Sequence, residues 1–488
     1  MVGPEQGRDR GLLRVQGAVT SVPDLHYGGA LKLTTSSIPG LVVVDMPVHG
    51  DSRGWFKENW QREKMTALGL PDFHPVQNNV SFNEKVGTTR GIHAEPWDKF
   101  VSVMSGRIFG AWVDLRAGES FGRVFTIELT PTRAVFVPRG VGNSFQTLEP
   151  NTVYSYLVND HWSANASYTF LNLADETAAI QWPVPLADAE LSDKDRAHPR
   201  LADVVPMAGR KTLVVGAGGQ LGIALRSAFP DAEFADRKTF DIADPAAYED
   251  RHWRDYGVIV NAAAYTKVDV AETAEGRVAS WKSNVSAVAL LAKVAQQHDI
   301  TLVHVSSDYV FDGTVAGEHR EDEPFSPLGV YGQTKAAGDA IVGTLDRHYI
   351  VRTSWVIGQG ANFVRTMAGL AERGVAPAVV DDQIGRLSFA DDIADGIAHL
   401  VNSGVQFGTY NLSNTGEPQS WAQLAAQVYA LTGHDPAKVT GVSTEEYFAG
   451  KEAAPRPRNS VLDLSKVRTA GFEPREASLA LRAYLARS

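Results

Sequence analysis

The chain has 488 residues, room for two or three domains each able to bury its own core, and its 44% hydrophobic and 21% charged residues are globular values. A net charge of −11 disfavours bulk nucleic-acid binding while allowing a local cationic pocket for a phosphorylated small molecule, and no long apolar run suggests a bilayer span. With no cysteine, disulfides, thiolate metal sites and cysteine nucleophiles are excluded together, which fits a reducing, cytoplasmic setting.

The opening stretch, MVGPEQGRDRGLLRVQG, is charged and glycine-rich without an apolar segment. It reads as a flexible tail over residues 1–36 and not as a signal peptide. From about Ser37 to Pro185, short β-prone runs such as LVVVDMPV, VFTIEL, AVFVP and TVYSYLV alternate with Gly, Pro, Asn and Asp. That rhythm predicts an all-β sandwich or barrel domain over residues 37–205. Inside it, TTRGIHAEPWDKFVSV sets His93 between Arg90 and Lys99. A metal-binding cupin would want a second histidine two residues later, because a divalent ion needs three or four converging ligands. Position 95 is Glu95 and no histidine is near in sequence, so no metal is expected. Arg90 and Lys99 would be strange lining for an apolar core, and a cationic, anion-binding pocket explains them better than a buried structural histidine does. The charged segment LADAELSDKDRAHPRLADVVPMAGRK, with two prolines, reads as a tail plus linker.

Beyond residue 206 the pattern changes. Buried-strand runs TLVVGAGGQLG, VIVNAAA, ITLVHVSSDYVF and YIVRTSW alternate with helical stretches such as RVASWKSNVSAVALLAKVAQQ. A doubly wound, parallel α/β sheet is predicted over residues 206–488. Gly216, Gly219 and Gly222 follow the strand TLVV and open a helix, as a dinucleotide pyrophosphate requires, although a plain strand–helix turn could use them too. Asp236 stands where an acid would hold the adenosine ribose, while Arg237 and Lys238 could accept a 2′-phosphate, so NADH and NADPH both stay open. Further on come Ser307, then Tyr331 and Lys335 one helical turn apart. Hydride chemistry suits them: Lys335 and the cofactor ribose would lower the pKa of Tyr331, which donates a proton to a carbonyl oxygen that Ser307 also binds. A packed surface Tyr/Lys pair is the plainer alternative. No internal repeat is visible.

GAGGQLG, VNAAAYTKVDVAE, SSDYVFDG, YGQTK, RTSW, ANFV and RPRNSVLDLSKV together resemble dTDP-4-dehydrorhamnose reductase, an extended short-chain dehydrogenase, across nearly all of residues 211–488. The resemblance implies a Rossmann sheet with a small substrate-binding region. It implies dinucleotide contacts at Gly216, Gly219, Gln220, Leu221, Gly222, Asp236, Asp241, Ile242, Ala263, Ala264 and Tyr265. It also puts Ser307, Asp308 and Trp355 near the sugar, and makes Tyr331 and Lys335, with Ser307, catalytic. A sugar-nucleotide 4,6-dehydratase of the same fold would carry Asp-Glu after the hydroxyl residue; this chain has Asp308-Tyr309, which favours reduction.

The first half, with IPGL, DSRGWFKENW, VQNNVSF, TTRGIH, VDLR, DETAAIQWP and LSDKDR, is similar to dTDP-4-dehydrorhamnose 3,5-epimerase, a metal-free cupin-like jelly roll. That similarity implies His93 as base, Asp175 as its hydrogen-bond partner, Tyr154 as acid, and a nucleotide sugar held by Arg53, Phe56, Glu58, Gln77, Asn79 and Arg90. Lys99 would steady the enolate formed when a proton leaves a carbon next to the ketone. Two positions depart from the family's pattern: Asn143 replaces a histidine, and Glu95 stands where glutamine is usual. Asn143 can hydrogen-bond but carries no charge. The halves fit consecutive steps toward dTDP-L-rhamnose, as one bifunctional enzyme. A catalytically silent binding or dimerising β domain, and a metal-dependent oxygenase, are the alternatives. A homodimer through the β domain is implied, and some reductases of this kind dimerise around magnesium, whose site cannot be mapped from sequence.

Overall fold

A computed structural model of the chain describes residues 29–163 and 166–487. Two compact units divide at Gly209 and Arg210. Most of the expected flexible tail, residues 1–28, lies outside the described residues. Its end is a strand instead: Lys32–Thr35 pairs antiparallel with Val42–Asp45, because Leu33 packs into the cluster around Val44, Met46 and Phe136 and the flanking threonines favour extended backbone.

In the first unit a six-stranded sheet runs Lys32–Thr35, Val42–Asp45, Arg133–Val137, Lys99–Ser105, Thr152–Val158, Gln77–Asn83. Facing it is a five-stranded sheet of Thr169–Phe170, Thr89–Ala94, Val141–Thr147, Ile108–Asp114, Val124–Leu129. All the pairings are antiparallel, and inward residues of both sheets, among them Val101, Val103, Val135, Trp112 and Phe145, share one core. This is a jelly roll. The segment expected to be a linker belongs to it. Leu201, Val204 and Met207 are buried beside Ile92, Val113 and Leu115, and the Met207 amide donates to the Leu115 carbonyl at 2.8 Å. Its apolar residues are spaced singly among charges, so its composition resembles a linker while its packing is that of a core strap.

The second unit is built on a six-stranded parallel sheet ordered Glu233–Ala235, Lys211–Val215, Tyr256–Asn261, Thr301–Ser307, His348–Thr353, Gly408–Asn411. Apolar clusters cover both faces, as parallel sheets require. The chain reverses its direction of winding beside Lys211–Val215, and a crevice opens there at the carboxyl ends of the strands. A third cluster, including Ile357, Met367, Phe389, Val428 and Leu481, supports a smaller region made of short strand pairs such as Ala378–Val380 with Thr440–Val442. Among the described residues, no helix is long and apolar enough to cross a membrane.

Two candidate active sites

His93 lies on Thr89–Ala94, directly opposite Asn143 on the neighbouring strand. Close approach of these strands demands glycine at 91, where a Cβ would sit 2.6 Å from that of Ser144 and φ is +120°. His93 Nε2 is 2.8 Å from Asp195 Oδ1. A carboxylate only accepts, so Nε2 carries the proton and Nδ1 is left as the basic nitrogen. Burial pushes the Asp195 carboxyl up, but the hydrogen bond and charge of His93 outweigh it and hold the group below the usual range. The partner expected from sequence was Asp175, and the structure corrects it. Asp175 accepts from the amides of Thr177, Ala178 and Leu201 at 2.7–3.0 Å, so its charge is spent tying down a turn. Asp195 was hidden in the presumed linker, where Ser192 caps the Asp195 amide at 3.1 Å.

Tyr154 stands 2% exposed, stacked on Phe145 with centroids 4.3 Å apart. Its hydroxyl donates to Asn143 Oδ1 at 3.2 Å, and Trp112 Nε1 donates to the same oxygen at 2.9 Å. Asn143 therefore turns its NH₂ away from both and fixes the tyrosine. Burial raises the Tyr154 hydroxyl far above its ordinary range, keeping it a proton donor at neutral pH. Lys99, 4% exposed, is ion-paired with Glu95. Arg90 Nε donates to Asn83 Oδ1 at 3.1 Å. His93, Glu95, Lys99, Arg90, Asn143, Tyr154 and Asp195 line one cavity of about 1070 Å³. Arg53, Phe56 and Glu58 do not line it: Arg53 pairs with Asp51, Glu58 with Lys64, and Phe56 is 66% exposed. Gln77 and Asn79, bonded to each other at 2.8 Å, lie outside its wall but on the same strand face as Ser81 and Asn83, which do line it.

Space also brings what sequence distance hid. His198 lies beside His93 with ring centroids 5.3 Å apart, so His93, Asp195 and His198 form a cluster with metal-ligand spacing. A metal at His93 would be competing for the hydrogen-bonded dyad.

In the second unit, the crevice of about 200 Å³ is lined by Gly216, Gly219, Asp236, Arg237, Asp241, Ile242, Ala263 and Ala264. A Cβ on Gly216 would meet Ala263 N at 2.5 Å, and one on Gly222 would meet the Gly216 carbonyl at 2.2 Å, so the turn and the helix packing both need glycine. No side chain caps the helix Gln220–Ala228, whose first amides are open to an anion. This cradle fits a dinucleotide pyrophosphate. Asp236 accepts from Lys238 N and Thr239 N, both at 3.0 Å, and those bonds hold it below its usual range. Gln220, Leu221, Gly222 and Tyr265 are not in the crevice wall. Gln220 accepts from Gly358 N at 2.7 Å, Leu221 is in the core, and the Tyr265 backbone is pinned by Asn284 at 2.8 Å.

Ser307 Oγ donates to Asp308 Oδ1 at 2.9 Å, and burial pushes the Asp308 carboxyl up to about 6. Burial also pushes Tyr331 up to about 12, the Asp308 charge adding to it and a hydrogen bond shared with Ser307 working against it. Lys335 Nζ donates to the Val305 carbonyl at 2.7 Å. Trp355 stacks on Trp421 at 3.7 Å in the smaller region.

A jelly roll with a His–Asp dyad and a buried tyrosine in one cavity, followed by a dinucleotide-type sheet with a Ser, Tyr and Lys, defines a two-domain enzyme of proton and hydride transfer. Residues 35–203 match the family described as dTDP-4-dehydrorhamnose 3,5-epimerase, and residues 210–488 the family described as RmlD substrate binding domain. A "Protein RmlC homolog" of Streptococcus pyogenes is 50% identical over 177 residues, 35% of this chain and 89% of that protein. The dTDP-4-dehydrorhamnose reductase of Aggregatibacter actinomycetemcomitans is 35% identical over 292 residues, 56% of this chain and 97% of that protein. A crystal structure of dTDP-4-dehydrorhamnose reductase from Bacillus anthracis in complex with NADP is similar with a TM-score of 0.53 and 31% identity, covering 57% of this chain and all of that one. The chain belongs to both families: it is a fusion of a dTDP-4-dehydrorhamnose 3,5-epimerase domain and a dTDP-4-dehydrorhamnose reductase domain.

Proposed function

We propose that the chain converts dTDP-4-dehydro-6-deoxyglucose to dTDP-L-rhamnose in two consecutive steps, inversion at carbons 3 and 5 and then reduction at carbon 4. The observation that carries this reading is the pairing of His93–Asp195 with the separate, buried Tyr154 in one cavity. His93 Nδ1 takes a proton from a carbon next to the ketone, Asp195 stabilises the imidazolium, and Tyr154 returns a proton from the other face of the ring. Lys99 offers positive charge to the enolate oxygen, and Arg90 holds the diphosphate. In the reductase unit a bound nicotinamide dinucleotide, NADPH or NADH, supplies the hydride. Tyr331, kept protonated by its burial, gives its proton to the carbonyl oxygen, which Ser307 holds. The NADP complex of the Bacillus anthracis protein supports that cofactor class.

We further propose a homodimer through the β domain. Gln77–Asn83 is an edge strand that shows Val80 and Phe82, 63% and 56% exposed, to solvent, and an apolar edge of this kind is normally covered. Supplying dTDP-4-dehydro-6-deoxyglucose with NADPH and identifying the product by NMR tests the function. A product with the L-rhamno configuration is expected; one reduced without inversion would mean that the β domain is silent.

A further inference from the structure

We infer that His304 is a positioning residue for Lys335, pressing an N–H against its amine through a hydrogen-bond chain that begins in the wall of the dinucleotide crevice. The inference rests on the reading of Tyr331 and Lys335 as the reducing centre. The chain has a fixed direction. Ala263 N donates to Asn261 Oδ1 at 3.1 Å, and a backbone N–H needs an acceptor, so the amide of Asn261 cannot be turned round. Its Nδ2 therefore faces His304 Nδ1, at 3.1 Å, and donates to it. Burial holds the imidazole well below its usual pKa, so it is neutral, and its single proton sits on Nε2.

That N–H points between Lys335 Nζ, at 3.4 Å, and Asp339 Oδ1, at 3.9 Å. The ring cannot retreat. A Cβ on Gly338 would lie 3.3 Å from His304 Nε2, so the helix Val330–Val342 is pressed onto the imidazole. Every charged neighbour enters the balance. Asp339, on the same helix, favours the ammonium, but it is shared with Arg352 of the adjacent strand, whose Nε lies 3.0 Å from Asp339 Oδ2. Tyr331 sits one turn away with Asp308 beyond it. Burial brings Lys335 down to about 8, and an N–H facing the amine works in the same direction. A neutral Lys335 can accept from His304; an ammonium cannot.

The test uses the full chain and the pH profile of kcat/KM for NADPH-dependent reduction, which reports groups of the free enzyme. Wild type should lose activity above about pH 8, where Lys335 gives up its proton. His304→Asn keeps an acceptor for Asn261 but removes the N–H at Lys335, so this alkaline limb should move up by about one pH unit, and His304→Gln, which can present an N–H again, should bring it back. Asn261→Asp reverses the chain, puts the histidine proton on Nδ1 and should also move the limb upward, which covers the case that His304→Asn does not fold. Equilibrium NADPH binding should change by less than about threefold. An unmoved limb in His304→Asn and Asn261→Asp, whether or not activity falls at every pH, overturns the inference. Normal turnover in Lys335→Met would instead overturn the reading of the reducing centre beneath it.

Discussion

His93 keeps 35% of its side chain exposed at a cavity of about 1070 Å³, whereas in the second unit Lys335 is 2% and Ser307 8% exposed. The contrast follows from what each centre does with protons. An epimerase that takes a proton on one face and returns another must exchange its base with solvent between turnovers, so a wide mouth costs nothing. A reductase gains from a dry pocket, where the one proton donor stays protonated and a carbonyl is polarised without competing water. The dyads differ in the same way. Asp195, hydrogen-bonded to His93, is held low, while Asp308, deep in the site beside Ser307, is pushed by burial up to about 6.

The comparison breaks most readily at the groups that handle protons in each centre. Tyr331→Phe should lower NADPH-dependent reduction by about 10²–10⁴-fold while leaving proton exchange in the β domain at its wild-type rate; a parallel loss of both would mean that the centres are coupled. Asp195→Asn should slow exchange by about 10–10³-fold, since it leaves the His93 imidazolium without its counter-charge, and Asp175→Asn should lower the melting temperature more than it alters exchange per folded molecule. Equal kinetic effects of the two would restore Asp175 as the partner.

Asp308 sharpens the contrast thermodynamically. Its folded pKa of about 6 lies above its ordinary 3.8, so protonation favours the folded state: its stabilising share is complete below about pH 4 and is lost as pH rises through 6. Asp308→Asn should therefore gain on wild type by about 2 kcal/mol between pH 4.5 and 7.5, read as thermal unfolding of residues 210–488. A constant difference across that range would show the carboxyl to be unperturbed. The smallest effect concerns the domain boundary. Residues 1–209 and 210–488 should each fold alone, and a chain ending at residue 205, which lacks Met207, should be less stable than one ending at 209 by about 2 kcal/mol.

What sequence could and could not tell divides along a physical line. The parallel sheet, the glycine turn and the Tyr331–Lys335 helix were legible because each is local: the residues lie within a strand, a turn or one helical turn of each other. An all-β sandwich or barrel was legible from the short β-prone runs between turn residues, and the jelly roll only through the family resemblance. The partner of His93 was not, because Asp195 is 102 positions away and sits among charges that resemble a linker. His198 escaped for the same reason, since a metal-ligand search by spacing sees only neighbours in the chain. The short strand Lys32–Thr35 was invisible because one half-buried leucine among polar residues gives no periodicity. The altered Asn143 was visible as a change, but its work, fixing the Tyr154 hydroxyl together with Trp112, depends on three strands meeting.

Two proton-handling centres on one chain, the first needing no hydride, is the central claim. It is tested most directly by incubating the protein with dTDP-4-dehydro-6-deoxyglucose in deuterated water without nicotinamide and following carbons 3 and 5 by NMR. The account predicts deuterium at both carbons, unaffected by chelator and abolished in His93→Asn; absence of exchange in the wild type, or exchange that survives His93→Asn, would contradict it.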